Sequence, residues 1–237
     1  MSNGIASAFL VSALIVPIGG CDLGVASPRA LDQVGNATQS PPPRARYGVD
    51  PARNRVWLLT RDGVSVYDVA KSERILLPLP SWLWVDTPYA CLPDLALGPK
   101  GEAVITSNVV PTLWRIDPET LAVSVHPLLL DSDTDKDVGF SGLVYSSEHE
   151  AFFAVSDVHG SLWRIDTGLE TAQKIWLSPP IRKACGLTVL PRNLRQQTNR
   201  QAGLCARTPQ GGQALDFEPG QRSAHIRAAP CADRGRG

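Results

Sequence analysis

At 237 residues, with 43% hydrophobic and 19% charged side chains, the chain has apolar material for one sizeable core or two small ones. Its formal net charge is zero and it holds no run of Lys or Arg. That excludes functions driven by bulk attraction to nucleic acid or to an anionic membrane surface, so no nucleic-acid partner is expected.

Ile5 to Ile18 form an apolar stretch broken only by Ser7 and Ser12. It falls short of the roughly 20 residues that span a bilayer and has the length of the apolar region of a secretory signal. It runs into Ile18-Gly19-Gly20-Cys21, which resembles the bacterial lipobox: a branched apolar residue three before the Cys, then small residues, then the Cys. The resemblance implies a lipoprotein signal peptide over residues 1–20, acylation of Cys21 and attachment to the membrane through the lipid, with several acyl chains anchoring far better than one. Met1 to Ser7 carry no Lys or Arg, a departure from the usual basic start of such signals. Asp22 resembles the mark that keeps enteric lipoproteins in the inner membrane. The expected location is the cell envelope, lipid-anchored on the periplasmic side, with the inner membrane favoured by Asp22.

Export permits disulfides. With Cys21 lipidated, Cys91, Cys185, Cys205 and Cys231 remain, and four cysteines allow three pairings among which spacing does not choose. No C-x-x-C occurs, which disfavours a zinc knuckle or a redox dithiol. Residues 21–44 are rich in Ala, Ser, Gly, Asn, Gln and Pro, end in Pro41-Pro42-Pro43 and show no strand or helix period. They are expected to be a flexible-to-extended tether.

From residue 45 a repeat governs the fold. Val64-Ser65-Val66-Tyr67-Asp68, Leu113-Trp114-Arg115-Ile116-Asp117 and Leu162-Trp163-Arg164-Ile165-Asp166 recur with their aspartates 49 residues apart. Each unit reads as four short strands: one ending in a polar turn, a second that is continuously apolar (Val56 to Leu59, Ala103 to Ile105, Ala151 to Val155), the strand just quoted, and a fourth such as Leu121 to Leu128. Continuous apolar strands suit sheets covered on both faces. No apolar 3.6-residue period runs for three turns. The fold class is therefore all-β, with β-propeller-type four-stranded blades over residues 45–192.

Leu92-Pro93-Asp94-Leu95-Ala96-Leu97-Gly98-Pro99-Lys100-Gly101, followed by Leu113 to Thr120, resembles the NHL / YVTN / gluconolactonase-like group of propeller repeats, as do Ser141-Gly142-Leu143-Val144 and Val155-Ser156-Asp157. The enzymes of that group hold a divalent metal in the channel mouth with Glu, Asn and Asp from different blades. Asp94, Asn108 and Asp157 are the residues that approximate such a set. Asx residues in blade turns also serve turn conformation alone.

The loops expected on the ligand-meeting face carry Asp94, Asn108, Asp157 and His159. Asp131, Asp133, Asp135 and Asp137 alternate along one segment, a spacing that can converge oxygens on calcium or another divalent cation. Lys136 stands where the turning Gly of a calcium loop belongs and Gly142 where its closing Glu belongs; the alternative is a solvated acidic loop. Trp82 and Trp84 lie in an insertion and either stack on a ligand or plug the gap between blades, the plug being preferred. Trp114 and Trp163 recur at the repeat period and are packing residues. No nucleophile elbow, HExxH, Walker A or GxGxxG pattern occurs.

Three complete units are visible, and Ala184 to Pro191 looks like the opening strand of a fourth. A closed ring needs about four to eight blades. Residues 193–237 lack strand alternation and any Lys, and are rich in Arg, Gln, Gly and Ala. They are expected to be a disordered tail, of the kind a shifted reading frame or a truncated gene leaves, on an incomplete or open propeller. The leading functional expectation is a binding or scaffolding module whose propeller face takes a protein or small-molecule ligand. The alternative implied by the resemblance is a metal-dependent hydrolase, a lactonase or phosphoesterase.

Overall fold

Asp68, Asp117 and Asp166 each fold the turn that follows a third strand. Asp68 Oδ1 accepts the amide of Lys71 at 3.1 Å. Asp117 Oδ1 accepts those of Glu119 and Thr120 at 2.9 and 2.8 Å, and Asp166 Oδ1 those of Glu170 and Thr171 at 3.1 and 2.6 Å. The carboxylate stands in for a backbone acceptor, which is why this residue recurs at the repeat period.

The computed structural model describes residues 46–85, 91–132, 139–190, 203–208, 211–216 and 223–227. Cys21, Asp133, Asp135, Asp137, the signal region 1–20 and the tether 21–44 lie outside the described residues. Blade one is β1 (Arg46–Asp50), β2 (Arg55–Thr60), β3 (Gly63–Asp68) and β4 (Glu73–Leu77), antiparallel in chain order. Blade two is β5 (Leu95–Leu97), β6 (Ala103–Thr106), β7 (Thr112–Ile116) and β8 (Val123–Pro127). After the short β9 (Leu129–Leu130), blade three is β10 (Gly142–Ser146), β11 (Ala151–Ser156), β12 (Ser161–Ile165) and β13 (Thr171–Ser178). Blade four is β14 (Leu187–Val189), β15 (Leu204–Thr208), β16 (Gly211–Asp216) and β17 (Ser223–Arg227). The arrangement is a four-bladed β-propeller.

The expectation of a disordered tail from residue 193 is corrected: β15, β16 and β17 pair with β14 and complete a fourth sheet. β17 also joins β13 in parallel, Trp176 opposite Ser223, so the outer edges of blades three and four are stitched together. These strands were illegible because Leu-Cys-Ala-Arg-Thr and Gly-Gly-Gln-Ala-Leu-Asp have little β-branched or aromatic content. Their place is set by packing: Leu204, Ala206 and Leu215 bury against Phe153, Leu162 and Ile175 of blade three.

The boundaries between blades consecutive in the chain are apolar layers. Trp57, Val64 and Val66 meet Leu95, Ile105 and Trp114 between blades one and two. Val104 and Leu113 meet Phe152 and Trp163 between blades two and three. The strand expected to be apolar throughout is buried along its whole length in blade three, Ala151 to Ser156. Burying an aromatic or large aliphatic side chain there stabilises by about 2–3 kcal/mol. The innermost strands approach backbone to backbone: a Cβ on Gly142 of β10 would lie 2.7 Å from Gly186 Cα, just before β14.

Candidate functional site

The heads of the inner strands are tied together by buried polar groups from all four blades. Asp94, just before β5, is 6% exposed. Its Oδ1 accepts the Leu95 amide at 2.9 Å and lies 3.6 Å from Arg46 Nε at the head of β1. Its Oδ2 accepts the Leu143 amide of β10 at 3.0 Å. Arg46 Nη2 donates to the carbonyl of Cys185, just before β14. Cys185 is disulfide-bonded to Cys91, which settles that pairing and bridges blades two and four across a separation of 94 residues. Ser141 Oγ adds a bond to the Ala184 carbonyl at 2.7 Å. Burial pushes the Asp94 carboxyl above the usual carboxylate range, against the pull of Arg46, of the Leu143 and Leu95 amides, and of the Arg207 charge.

Of these, Arg46, Asp94, Leu95 and Leu143 line one cavity of about 420 Å³ among the four inner strands, together with Tyr47, Tyr145, Thr188 and Arg207. Two guanidinium groups face one carboxylate there, so its charged lining is net positive. Arg46 Nε is buried and makes no hydrogen bond. The cavity can hold a small anion with a planar, bidentate oxygen pair, the geometry a guanidinium matches.

A second cleft, of about 520 Å³, lies among the turns at the other end of the strands. Its two arginines are engaged. Arg53 bonds Asp50 and Glu119 at 3.0 and 2.8 Å, and Arg115 donates to the carbonyls of Thr167 and Gly168 at 2.8 and 3.0 Å.

The candidates for the ligand face have varied fates. Asp94 is the buried tie just described. Asn108, also buried, clamps the insertion before β5: its Nδ2 donates to the carbonyls of Val85 and Cys91 at 2.7 and 3.1 Å, and its Oδ1 accepts the Val85 amide at 3.0 Å. Gly139 lets the chain pass this point, since a Cβ there would lie 2.0 Å from the Asn108 carbonyl carbon. Asp157 and His159 sit half-buried in the β11–β12 turn. Burial pushes the Asp157 carboxyl up, opposed by the amide and charge of Lys183. Among the described residues, no group of three or more His, Cys, Asp or Glu stands ready to hold a metal ion. Of the alternating aspartates only Asp131 is described, and its Oδ1 accepts the Lys174 amide at 2.7 Å beside the β9–β13 pairing.

Trp82 donates its indole N–H to the Thr106 carbonyl at 3.0 Å and stacks on Trp84 at 6.1 Å, with Arg61 over the Trp84 ring at 4.9 Å. Trp82 thus packs against the blade one–two layer, as a plug does. Sequence reasoning missed Arg46 and Arg207. The only signal was a charged residue opening an inner strand, Arg46 directly before an apolar alternation.

No family model and no curated protein matches the chain. Solved structures do match in fold. Virginiamycin B lyase from Staphylococcus aureus is 14% identical at a TM-score of 0.54, over 83% of this chain and 58% of that one. A streptogramin B lyase is 13% identical at 0.53, over 80% and 55%. Dihydro-heme d1 dehydrogenase NirN is 14% identical at 0.50, over 79% and 37%. The chain therefore spans between 37% and 58% of the length of these β-propeller proteins. At such identities the likeness is one of fold.

Proposed function

We propose that this propeller is a binding module of the cell envelope, anchored through Cys21, whose central cavity takes a small organic anion carrying a carboxylate. The observation that carries the reading is the pairing of Arg46 and Arg207 against the single carboxylate of Asp94 in one cavity. Arg46 is spoken for by Asp94 and the Cys185 carbonyl, and it sets the field. Arg207, exposed at the cavity edge, is the cation that meets the ligand. The lipobox-like Ile18-Gly19-Gly20-Cys21 supports the anchor.

The hydrolase reading, drawn from the gluconolactonase-like resemblance, needs Asp94 and Asn108 as metal ligands. Both commit their side chains to backbone groups that hold the blades in place, which favours binding over hydrolysis. The lyase and dehydrogenase names of the similar structures support a propeller scaffold and extend no further, since propellers host many functions.

The test is calorimetric titration of the full chain with citrate, succinate and benzoate. Binding is expected for at least one, weakened at least about tenfold by Arg207→Ala, the loss of one charge-assisted bond. No heat from any of the three would sink the ligand reading. Stabilisation by manganese or calcium that Asp94→Ala abolishes would revive the hydrolase. Membrane attachment is tested separately, by palmitate labelling that Cys21→Ala must remove.

A further inference from the structure

Tyr47 of the first blade and Thr188 and Arg207 of the last line the same central cavity. Strand alternation shows how they reach it. On β1, a Cβ at Gly48 would meet Leu97 and Leu95 of blade two at 3.0 and 3.1 Å, so Gly48 faces blade two and Tyr47 faces away from it. On β14 and β15, Leu187, Leu204 and Ala206 pack against blade three, so Thr188 and Arg207 point from the opposite face of blade four. In a four-bladed ring, Tyr47, Thr188 and Arg207 therefore look into the seam between blades four and one.

That seam is built differently from the other three. Leu95, Leu143 and Leu187 hold the place of Tyr47 in blades two, three and four, near the head of the inner strand. They are 6%, 3% and 6% exposed and belong to the apolar layers between consecutive blades. Tyr47 is 63% exposed and, among the described residues, makes no side-chain hydrogen bond or ring contact. The Arg207 guanidinium and the Thr188 hydroxyl likewise make no hydrogen bond or ion pair among the described residues. No apolar cluster of described residues joins blades four and one; their tie is polar, from Arg46 to the Cys185 carbonyl. An open aromatic ring, a guanidinium and a hydroxyl thus surround a space of about 420 Å³, within the range of small-molecule sites.

We propose that the ligand of this cavity is an aromatic monocarboxylate, its carboxylate on Arg207 and Thr188 and its ring stacked on Tyr47. This rests on the small-anion reading given above and names the class of that anion. Two guanidinium groups against the carboxylate of Asp94 leave one positive charge in surplus, which one carboxylate matches. Arg207 offers that carboxylate a planar pair of donors, and the Thr188 hydroxyl adds another. Tyr145, the other aromatic ring of the lining, already packs on Phe152 at 5.1 Å, so Tyr47 is the ring left for stacking. Two stacked rings gain energy beyond the area they bury, whereas a saturated ring of the same size gains the area alone. Tyr47 is therefore the residue that sets specificity, and Arg207 the one that sets affinity for the acid group.

The test is calorimetric titration of the full chain, in detergent, with benzoate, with its saturated counterpart cyclohexanecarboxylate, and with succinate. Benzoate should bind about three- to tenfold more tightly than cyclohexanecarboxylate, the span expected of one aromatic pair. Tyr47→Leu, which installs the residue the other three inner strands carry, should abolish that preference, and Tyr47→Phe should keep it. Arg207→Ala should weaken both ring acids alike and leave their ratio unchanged. Tyr47 is exposed, so both of its variants should melt with wild type. Binding of succinate alone, or of both ring acids without a preference for benzoate, keeps the small-anion reading and overturns this inference. Binding of none of the three overturns both. A preference that survives Tyr47→Leu or is lost in Tyr47→Phe overturns the stacked ring, and affinities that Arg207→Ala leaves unchanged overturn the placement of the carboxylate.

Discussion

Across 49 residues of chain, Asp94 Oδ2 accepts the backbone N–H of Leu143 at 3.0 Å. A side chain at the head of one blade thereby fixes the first strand of the next, one repeat along. The same carboxylate faces Arg46 of the blade before, so a single buried group joins three blades. Asp94→Ala leaves two amides and a guanidinium without this acceptor. Each orphaned buried group costs about 1–3 kcal/mol, so a loss of about 3 kcal/mol is expected in urea denaturation. A variant as stable as wild type would show that water replaces the carboxylate.

Protonation gives Asp94 and Asp117 opposite signs. Burial, only partly offset by Arg46 and the two amides, raises the folded-state pKa of Asp94 above its unfolded value. The folded chain then holds that proton more tightly, so this group's contribution to stability falls as pH rises from the ordinary carboxylate value through the folded one. Asp117 is lowered by the amide of Thr120 and then that of Glu119. Its contribution is present above the ordinary carboxylate value and is lost as pH falls through the folded one. Melting temperatures from pH 3 to 7 should therefore decline less steeply above the carboxylate range in Asp94→Asn than in wild type. They should decline less steeply on the acid side in Asp117→Asn. Parallel profiles for all three proteins would contradict both assignments.

The Cys91–Cys185 bridge closes a long loop, 94 residues in separation, and joins two blades that are not consecutive. Removing it with Cys91→Ala and Cys185→Ala should cost about 2–4 kcal/mol, chiefly by freeing the unfolded chain. Paired denaturant curves of this variant and wild type, both oxidised, measure the difference without touching other cysteines. Equal midpoints would mean that the polar ties around Asp94 and Ser141 hold the strand heads unaided.

The three complete blades were legible because each local signal agreed with the others. The apolar second strand, the turn-folding Asp and the Trp at Trp114 and Trp163 all recur at one period. The two indoles even keep separate acceptors, the Pro80 carbonyl at 2.8 Å and Ser161 Oγ at 2.8 Å, as expected of buried packing residues. The cavity was not legible because its parts come from four separate strand heads and converge only through the fold. Asn108 illustrates the difficulty: its type and position suited a metal ligand, yet its partners Val85 and Cys91 lie 23 and 17 residues away and make it a clamp.

Blade four yields the sharpest contrast between composition and fold, and the last prediction rests on it. Residues 204–216 look like a polar, Gly- and Gln-containing tail, yet Leu204, Ala206 and Leu215 are fully buried against Phe153, Leu162 and Ile175. If these strands are integral, Leu215→Ala removes a buried side chain from a packed layer. The expected loss is about 2–5 kcal/mol, the range for cavity-forming Leu→Ala changes. A chain ending at residue 192 should fare worse, because the blade-three face carrying Phe153, Leu162 and Ile175 then meets water. Aggregation and loss of a cooperative melt are expected for it. Far-ultraviolet circular dichroism melts of Leu215→Ala and of the shortened chain decide the matter. A Leu215→Ala midpoint equal to wild type, with a soluble and cooperatively melting shortened chain, would return residues 193–237 to the status of a dispensable tail.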